Sequence, residues 1–120
     1  MVLDERIVTI ADHYGFNAQS RQLIEEMAEL TAAINRFWRK ILKCGEVEYS
    51  AKDDFRREMR NTEEWAKLIG EVSDVEVCLM QFEYMLDCDQ LIKKGIDYKI
   101  RRQLMRMRME DQNGSVPDAV

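Results

Sequence analysis

Pro117 is the only proline among 120 residues, and it falls in the C-terminal tail. Every earlier position past the N-terminus can therefore donate its backbone N–H to a helix. The body of the chain is filled with Glu, Leu, Met, Lys, Arg and Ala, the residues that cost least in a helix interior. An all-α fold is the expectation. Apolar residues make up 46% and charged residues 34%, too apolar for a disordered chain and suited to amphipathic helices with a solvated outer face. The length fits one domain over residues 1–110, with 111–120 as a frayed tail.

Apolar spacing divides the chain further. Leu3, Ile7, Val8, Ile10 and Ala11 predict a short helix over Val2 to Tyr14 that stops near Gly15. From Ala18 to Leu42, the residues Leu23, Met27, Leu30, Ile34, Phe37 and Trp38 recur at three- and four-residue steps, the period of a one-sided helix. Lys43 to Asn61 is charged and interrupted by Gly45, which reads as a connection with a short helix around Asp54 to Met59. Thr62 is placed to cap a long helix running to Leu86, and Glu63 and Glu64 suit its first turn. Asp87 or Asp89 would cap a last helix reaching Met109, with Leu91, Ile92, Ile96, Ile100, Leu104 and Met107 as its apolar positions. Such helices bury their stripes most economically as a bundle, and the central connection breaks any sustained coiled-coil heptad.

Charge and cysteine usage narrow the setting. A formal charge of −5 argues against nucleic-acid binding, which draws its affinity from an excess of Lys and Arg. Cys44, Cys78 and Cys88 are odd in number and form no Cys-x-x-Cys pair, so a reducing cytoplasm is expected, without a disulfide framework or a zinc site. No apolar run is long enough to span a bilayer, and no signal segment is evident.

The two long central segments share a local pattern. Ile24-Glu25-Glu26-Met27-Ala28-Glu29-Leu30 aligns with Ile69-Gly70-Glu71-Val72-Ser73-Asp74-Val75. With the first stripe centred on Leu23, Leu30 and Ile34, Glu26 and Glu29 lie roughly 70° and 130° to one side. With the second set by Leu68, Val72, Val75, Leu79 and Leu86, Glu71 and Asp74 lie about 60° and 120° away. Two such helices packed together bring four carboxylates to the rim of the core, where their repulsion calls for a cation. Oxygen-only ligands suit Mg2+ or Mn2+. A carboxylate-bridged iron site would want Glu-x-x-His pairs, but His13 is the only histidine and lies outside both motifs. Single acidic pairs at this spacing are common on solvated helices; the repetition is what favours a metal.

Glu25-Glu26-x-x-Glu29 followed by Glu71-x-x-Asp74 resembles the signature of the MazG-like, all-α nucleoside triphosphate pyrophosphohydrolases. Tyr14-Gly15, Gln19 ahead of Ile24-Glu25-Glu26, the run Glu71-Val72-Ser73-Asp74-Val75-Glu76-Val77 and Lys99-x-x-Arg102 extend the likeness over residues 13 to 106. The resemblance implies a helical bundle, assembled as a homodimer or homotetramer. It implies Mg2+-dependent conversion of an NTP or dNTP into its monophosphate and pyrophosphate, with nucleotide-pool housekeeping as the role. Carried over by position, Glu26, Glu29, Glu71 and Asp74 would be metal ligands and Glu25 would orient or deprotonate water. Lys99 and Arg102, one turn apart, would reach phosphate; without the resemblance they belong to an ordinary solvated face. Trp38 offers a ring for base stacking or for the core, and Gln19 an amide for a base edge or for helix-end packing. The sequence departs from the pattern in its longer interval between Glu29 and Glu71, and in Gly70, where a further Glu is frequent. The rival readings are a non-catalytic helical interaction module and a regulatory protein that holds a magnesium nucleotide without hydrolysing it.

Overall fold

The computed structural model describes residues 3–113. Four α-helices follow one another: α1 (Glu5–Lys40), α2 (Asp53–Met59), α3 (Glu63–Leu86) and α4 (Asp89–Asn113), with a 3-10 turn at Lys43–Gly45 after α1. Among the described residues there is no strand, so the fold is an all-α helical bundle. None of these helices is long and apolar enough to cross a membrane. The chain divides into two compact units, one ending at Met85 and the other beginning at Leu86.

The break expected at Gly15 is a kink within α1, where Gly15 takes φ 85° and ψ 169°. That backbone region is open essentially to glycine alone. A Cβ at Gly15 would meet nothing within 4 Å, so Gly15→Ala isolates the backbone cost. The expected loss is about 1–3 kcal/mol in urea unfolding; an unchanged midpoint would show that the kink is not required.

The helix starts are locally encoded. Asp4 caps α1 by accepting from the Arg6 backbone N–H at 2.9 Å. Thr62 caps α3 as expected, its Oγ1 accepting from the Trp65 N–H at 3.2 Å. At α4 the expectation fails: Asp87 turns left-handed at φ 50°, and Cys88 precedes the helix with its carbonyl accepting from the Ile92 N–H. Asp89 is the first residue of α4 and places its charge in the first turn. α4 runs beyond Met109 to Asn113, so the fraying expected from Gln112 begins no earlier than Gly114; the rest of that tail lies outside the described residues.

Within the first unit, α1 and α3 run antiparallel. Asp12 meets Tyr84, Phe16 stacks on Phe82 at 5.5 Å, Gln19 meets Gln81, and Phe37 meets Trp65. Partner numbers fall on α3 as they rise on α1. The inward face of α1 after the kink is Gln19, Leu23, Glu26, Leu30, Ala33 and Phe37, all buried or half-buried. This corrects the expected stripe, because Met27, Ile34 and Trp38 are 45%, 51% and 48% exposed. The helix carries apolar residues on more than one side, and packing turns the side carrying Ala33 inward. The same rotation on α3 exposes Val72 and buries Glu71, Cys78 and Gln81.

Gln19 and Gln81 resolve their own burial by pairing, with Gln19 Nε2 donating to Gln81 Oε1 at 2.7 Å. The connection is held by aromatic rings: Phe37 packs on Tyr49 and Trp65, and Tyr49 meets Phe55 edge-on at 5.2 Å. In the second unit, α4 buries no residue, and Leu91, Ile96, Ile100, Leu104 and Met107 are exposed rather than in a core.

Candidate metal centre

Rotating the stripe moves the acids with it. Glu26 and Glu71, expected beside the core, lie on the inward faces of α1 and α3, with Glu71 only 4% exposed. One carboxylate oxygen from each of Glu26, Glu71 and Asp74 falls within 4.8 Å of the others. The group grades from buried Glu71 through half-buried Glu26 to exposed Asp74, so it is closed on the protein side and open towards solvent.

Each inward glutamate is fixed by a residue one turn earlier on its own helix. Gln22 Nε2 donates to Glu26 Oε1 at 2.8 Å, and Lys67 Nζ donates to Glu71 Oε1 at 2.7 Å. The remaining oxygens, Glu26 Oε2 and Glu71 Oε2, are buried without a hydrogen-bond partner. Leaving a buried charged acceptor unmade costs about 1–3 kcal/mol or more. Two such atoms in one three-carboxylate group are accounted for if a cation joins them. In an octahedral Mg2+ shell, oxygens stand about 3 Å apart when adjacent and about 4.2 Å when opposite. With three ligands at most one pair can be opposite, so the three oxygens, within 4.8 Å of one another, would draw together on binding, the adjacent pairs to about 3 Å.

Glu29 stands beside this trio rather than inside it. The carboxylate of Glu26, then that of Glu71, push the Glu29 carboxyl above its ordinary value of 4.5, with partial loss of water and a hydrogen bond to Glu71 acting the same way. Lys67 pulls in the opposite direction. A raised carboxyl pKa means that the folded chain holds this proton more tightly than the unfolded one. The Glu29 contribution therefore favours folding at low pH and is lost as pH rises from 4.5 through the raised value. In metal-free protein, the stability difference between wild type and Glu29→Gln should shift against wild type across that window in pH-dependent melting. Saturating Mg2+ should remove the shift, and parallel curves without metal would refute the assignment.

Glu25 is exposed and outside the group. Gln19 is buried and donates its Nε2 to Gln81. Trp38 packs against the left-handed Gly45, where an added Cβ would come within 3.3 Å of its ring. It stands twelve residues beyond Glu26, about 18 Å along the axis. Lys99 and Arg102 are on α4 in the second unit, where the Arg102 guanidinium lies 5.8 Å from the Tyr98 ring centre.

Three further residues neighbour the site: Gln22 and Lys67, which were not singled out from sequence, and the buried Cys78. The first two extend the internal repeat, since each precedes its glutamate by four residues. Burial pushes the Cys78 thiol up, and the Glu26 and Asp74 carboxylates add to the shift, so it faces the acids as a neutral thiol. No family model, curated protein or solved structure matches the chain.

Proposed function

We infer that the protein holds a divalent cation, Mg2+ or Mn2+ in its place, on Glu26, Glu71 and Asp74, and uses it to hydrolyse a nucleoside triphosphate to monophosphate and pyrophosphate. The observation that carries the cation reading is the pair of buried, unpartnered oxygens on Glu26 and Glu71 within one carboxylate group. The choice of substrate rests on the resemblance of the acidic motifs to the MazG-like pyrophosphohydrolases.

Bound there, the cation would collect phosphate oxygens and acidify a water for attack on the α-phosphorus. The chain's own part is positional. Gln22 and Lys67 fix one oxygen of each inward carboxylate, so that the other is presented without a search of rotamers. Glu29, beside the trio, would join as a fourth ligand. Leu23, Leu30 and Ala33 line the inward side of α1 around Glu26 and keep water from that flank. Lys99 and Arg102 supply the phosphate contacts in this reading, by resemblance alone.

Assembly as a homodimer or homotetramer belongs to the same reading. It is supported by the exposed apolar residues Ile24, Met27, Ile34 and Trp38 on α1 and by the exposed stripe of α4. A reducing cytoplasm suits the three free thiols. The exposed apolar faces also favour a second reading, a helical interaction module without catalysis.

Incubation with Mg2+ and a panel of NTPs and dNTPs, resolved by chromatography, separates these. Monophosphate with equimolar pyrophosphate, abolished by a chelator, is the expected result. Intact triphosphates across the panel would leave the interaction module.

A further inference from the structure

The two halves of the acidic repeat differ in the residue that holds the inward glutamate. Gln22 and Lys67 occupy equivalent places, each four residues before its glutamate and each donating to Oε1 of that glutamate. An amide holds Glu26, whereas an ammonium holds Glu71. Lys67 is 61% exposed in its side chain, while the Glu71 side chain it grips is only 5% exposed. The lysine therefore reaches inward from a solvated position, on a flexible stem that leaves without repacking the core.

We propose that Lys67 is the built-in counter-ion of the acidic group: it holds Glu71 until a divalent cation takes over that charge, and then serves a phosphate oxygen of the cation's anionic ligand. This rests on the cation reading of Glu26, Glu71 and Asp74 given above. Four carboxylates, Glu26, Glu29, Glu71 and Asp74, share this corner, and Lys67 is the cation bonded to it. A divalent cation on the free oxygen of Glu71 would lie one carboxylate width from the ammonium. Two cations that close compete for the same negative charge, so Lys67 lowers the affinity of the metal-free site. Once the carboxylates are neutralised, the ammonium has lost its strongest partner and lies beside whatever anion the metal holds. A lysine binds phosphate as a point charge and needs no fixed geometry to do so.

The repeat supplies the test, because each half can be given the other's residue. Mn2+ binding is followed by electron paramagnetic resonance, and binding of tripolyphosphate in the presence of saturating Mn2+ by calorimetry. Lys67→Gln should bind Mn2+ roughly three- to tenfold more tightly, since a competing charge is removed while a donor to Oε1 is kept. The same variant should bind tripolyphosphate with Mn2+ at least about threefold more weakly. Gln22→Lys should weaken Mn2+ binding by a similar factor, and Lys67→Arg should stay near wild type in both assays. Opposite signs for metal and anion are not produced by a general loosening of the fold, which circular dichroism checks. Metal or anion affinity unchanged in a folded Lys67→Gln, with wild type still binding Mn2+, overturns the role of Lys67 and leaves the cation site standing. Wild type that binds no Mn2+ overturns both.

Discussion

Glu71→Gln should leave the protein helical, stabilise it in the absence of metal, and abolish both its response to Mg2+ and the triphosphate turnover proposed here. The amide has nearly the volume of the carboxylate, so the packing around this 4%-exposed side chain is kept. What disappears is a buried charge with one unpartnered oxygen, crowded by Glu26, Glu29 and Asp74. Losing that unpartnered oxygen and the crowding around it outweighs the ion pair to the exposed Lys67 that is given up at Oε1, and is worth about 1–3 kcal/mol, read as a higher midpoint in metal-free urea unfolding. Wild type should regain the difference with metal: a ligand at one hundred times its Kd adds about 2.7 kcal/mol to folding. The variant should show no such gain, and its turnover should fall by about a thousandfold or more, the usual scale for losing a preorganised charge in a site. A variant that is destabilised without metal would show that the Lys67 ion pair already compensates the Glu71 charge, and one that still responds to Mg2+ would show that Glu71 is no ligand. The metal assignment would then fall.

Phe37→Ala should cost about 3–5 kcal/mol, a large part of the total stability of a small domain. Phe37 is buried at the end of the inward face of α1, and its ring joins α1 to Trp65 of α3 and to Tyr49 of the connection. Truncation opens a cavity at the meeting point of three segments, and Tyr49 with Phe55 loses its anchor. Trp38→Ala, one residue along, removes a larger ring that is half exposed and should cost clearly less. Chemical denaturation of the two variants measures the ordering. If Trp38→Ala proves the more damaging, the inward face of α1 has been assigned to the wrong side of the helix.

Those two residues also show where sequence reasoning reached its limit. The period of Leu23, Leu30 and Phe37 located the helix, and Thr62 with its acidic followers located the start of α3. Periodicity reports that one side of a helix is apolar and fixes its centre poorly when apolar residues stand on more than one side. Met27, Ile34 and Trp38 pulled the inferred centre of α1 outward and Val72 that of α3, so Glu26 and Glu71 were read as flanking residues. The acids were found because their pattern repeats; their burial was not found, because nothing in a pattern states how far a helix turns when it packs. The Gln19 and Gln81 pair was hidden for a related reason. A buried amide is readable only with its partner, and the partner is 62 positions away.

By itself, then, the sequence determined the helical class, a break at Gly15 though not that α1 continues through it, the Thr62 cap and the repeat of the acids. These depend on residues within a turn or two of one another: an absent proline, a glycine that alone tolerates φ 85°, a hydroxyl within reach of a nearby N–H. Only the tertiary structure decided which side of α1 and α3 faces inward and that Glu26 and Glu71 each bury an oxygen without a partner. Those facts arise where two antiparallel helices choose their mutual rotation, and that choice depends on the fit of side chains from distant parts of the chain.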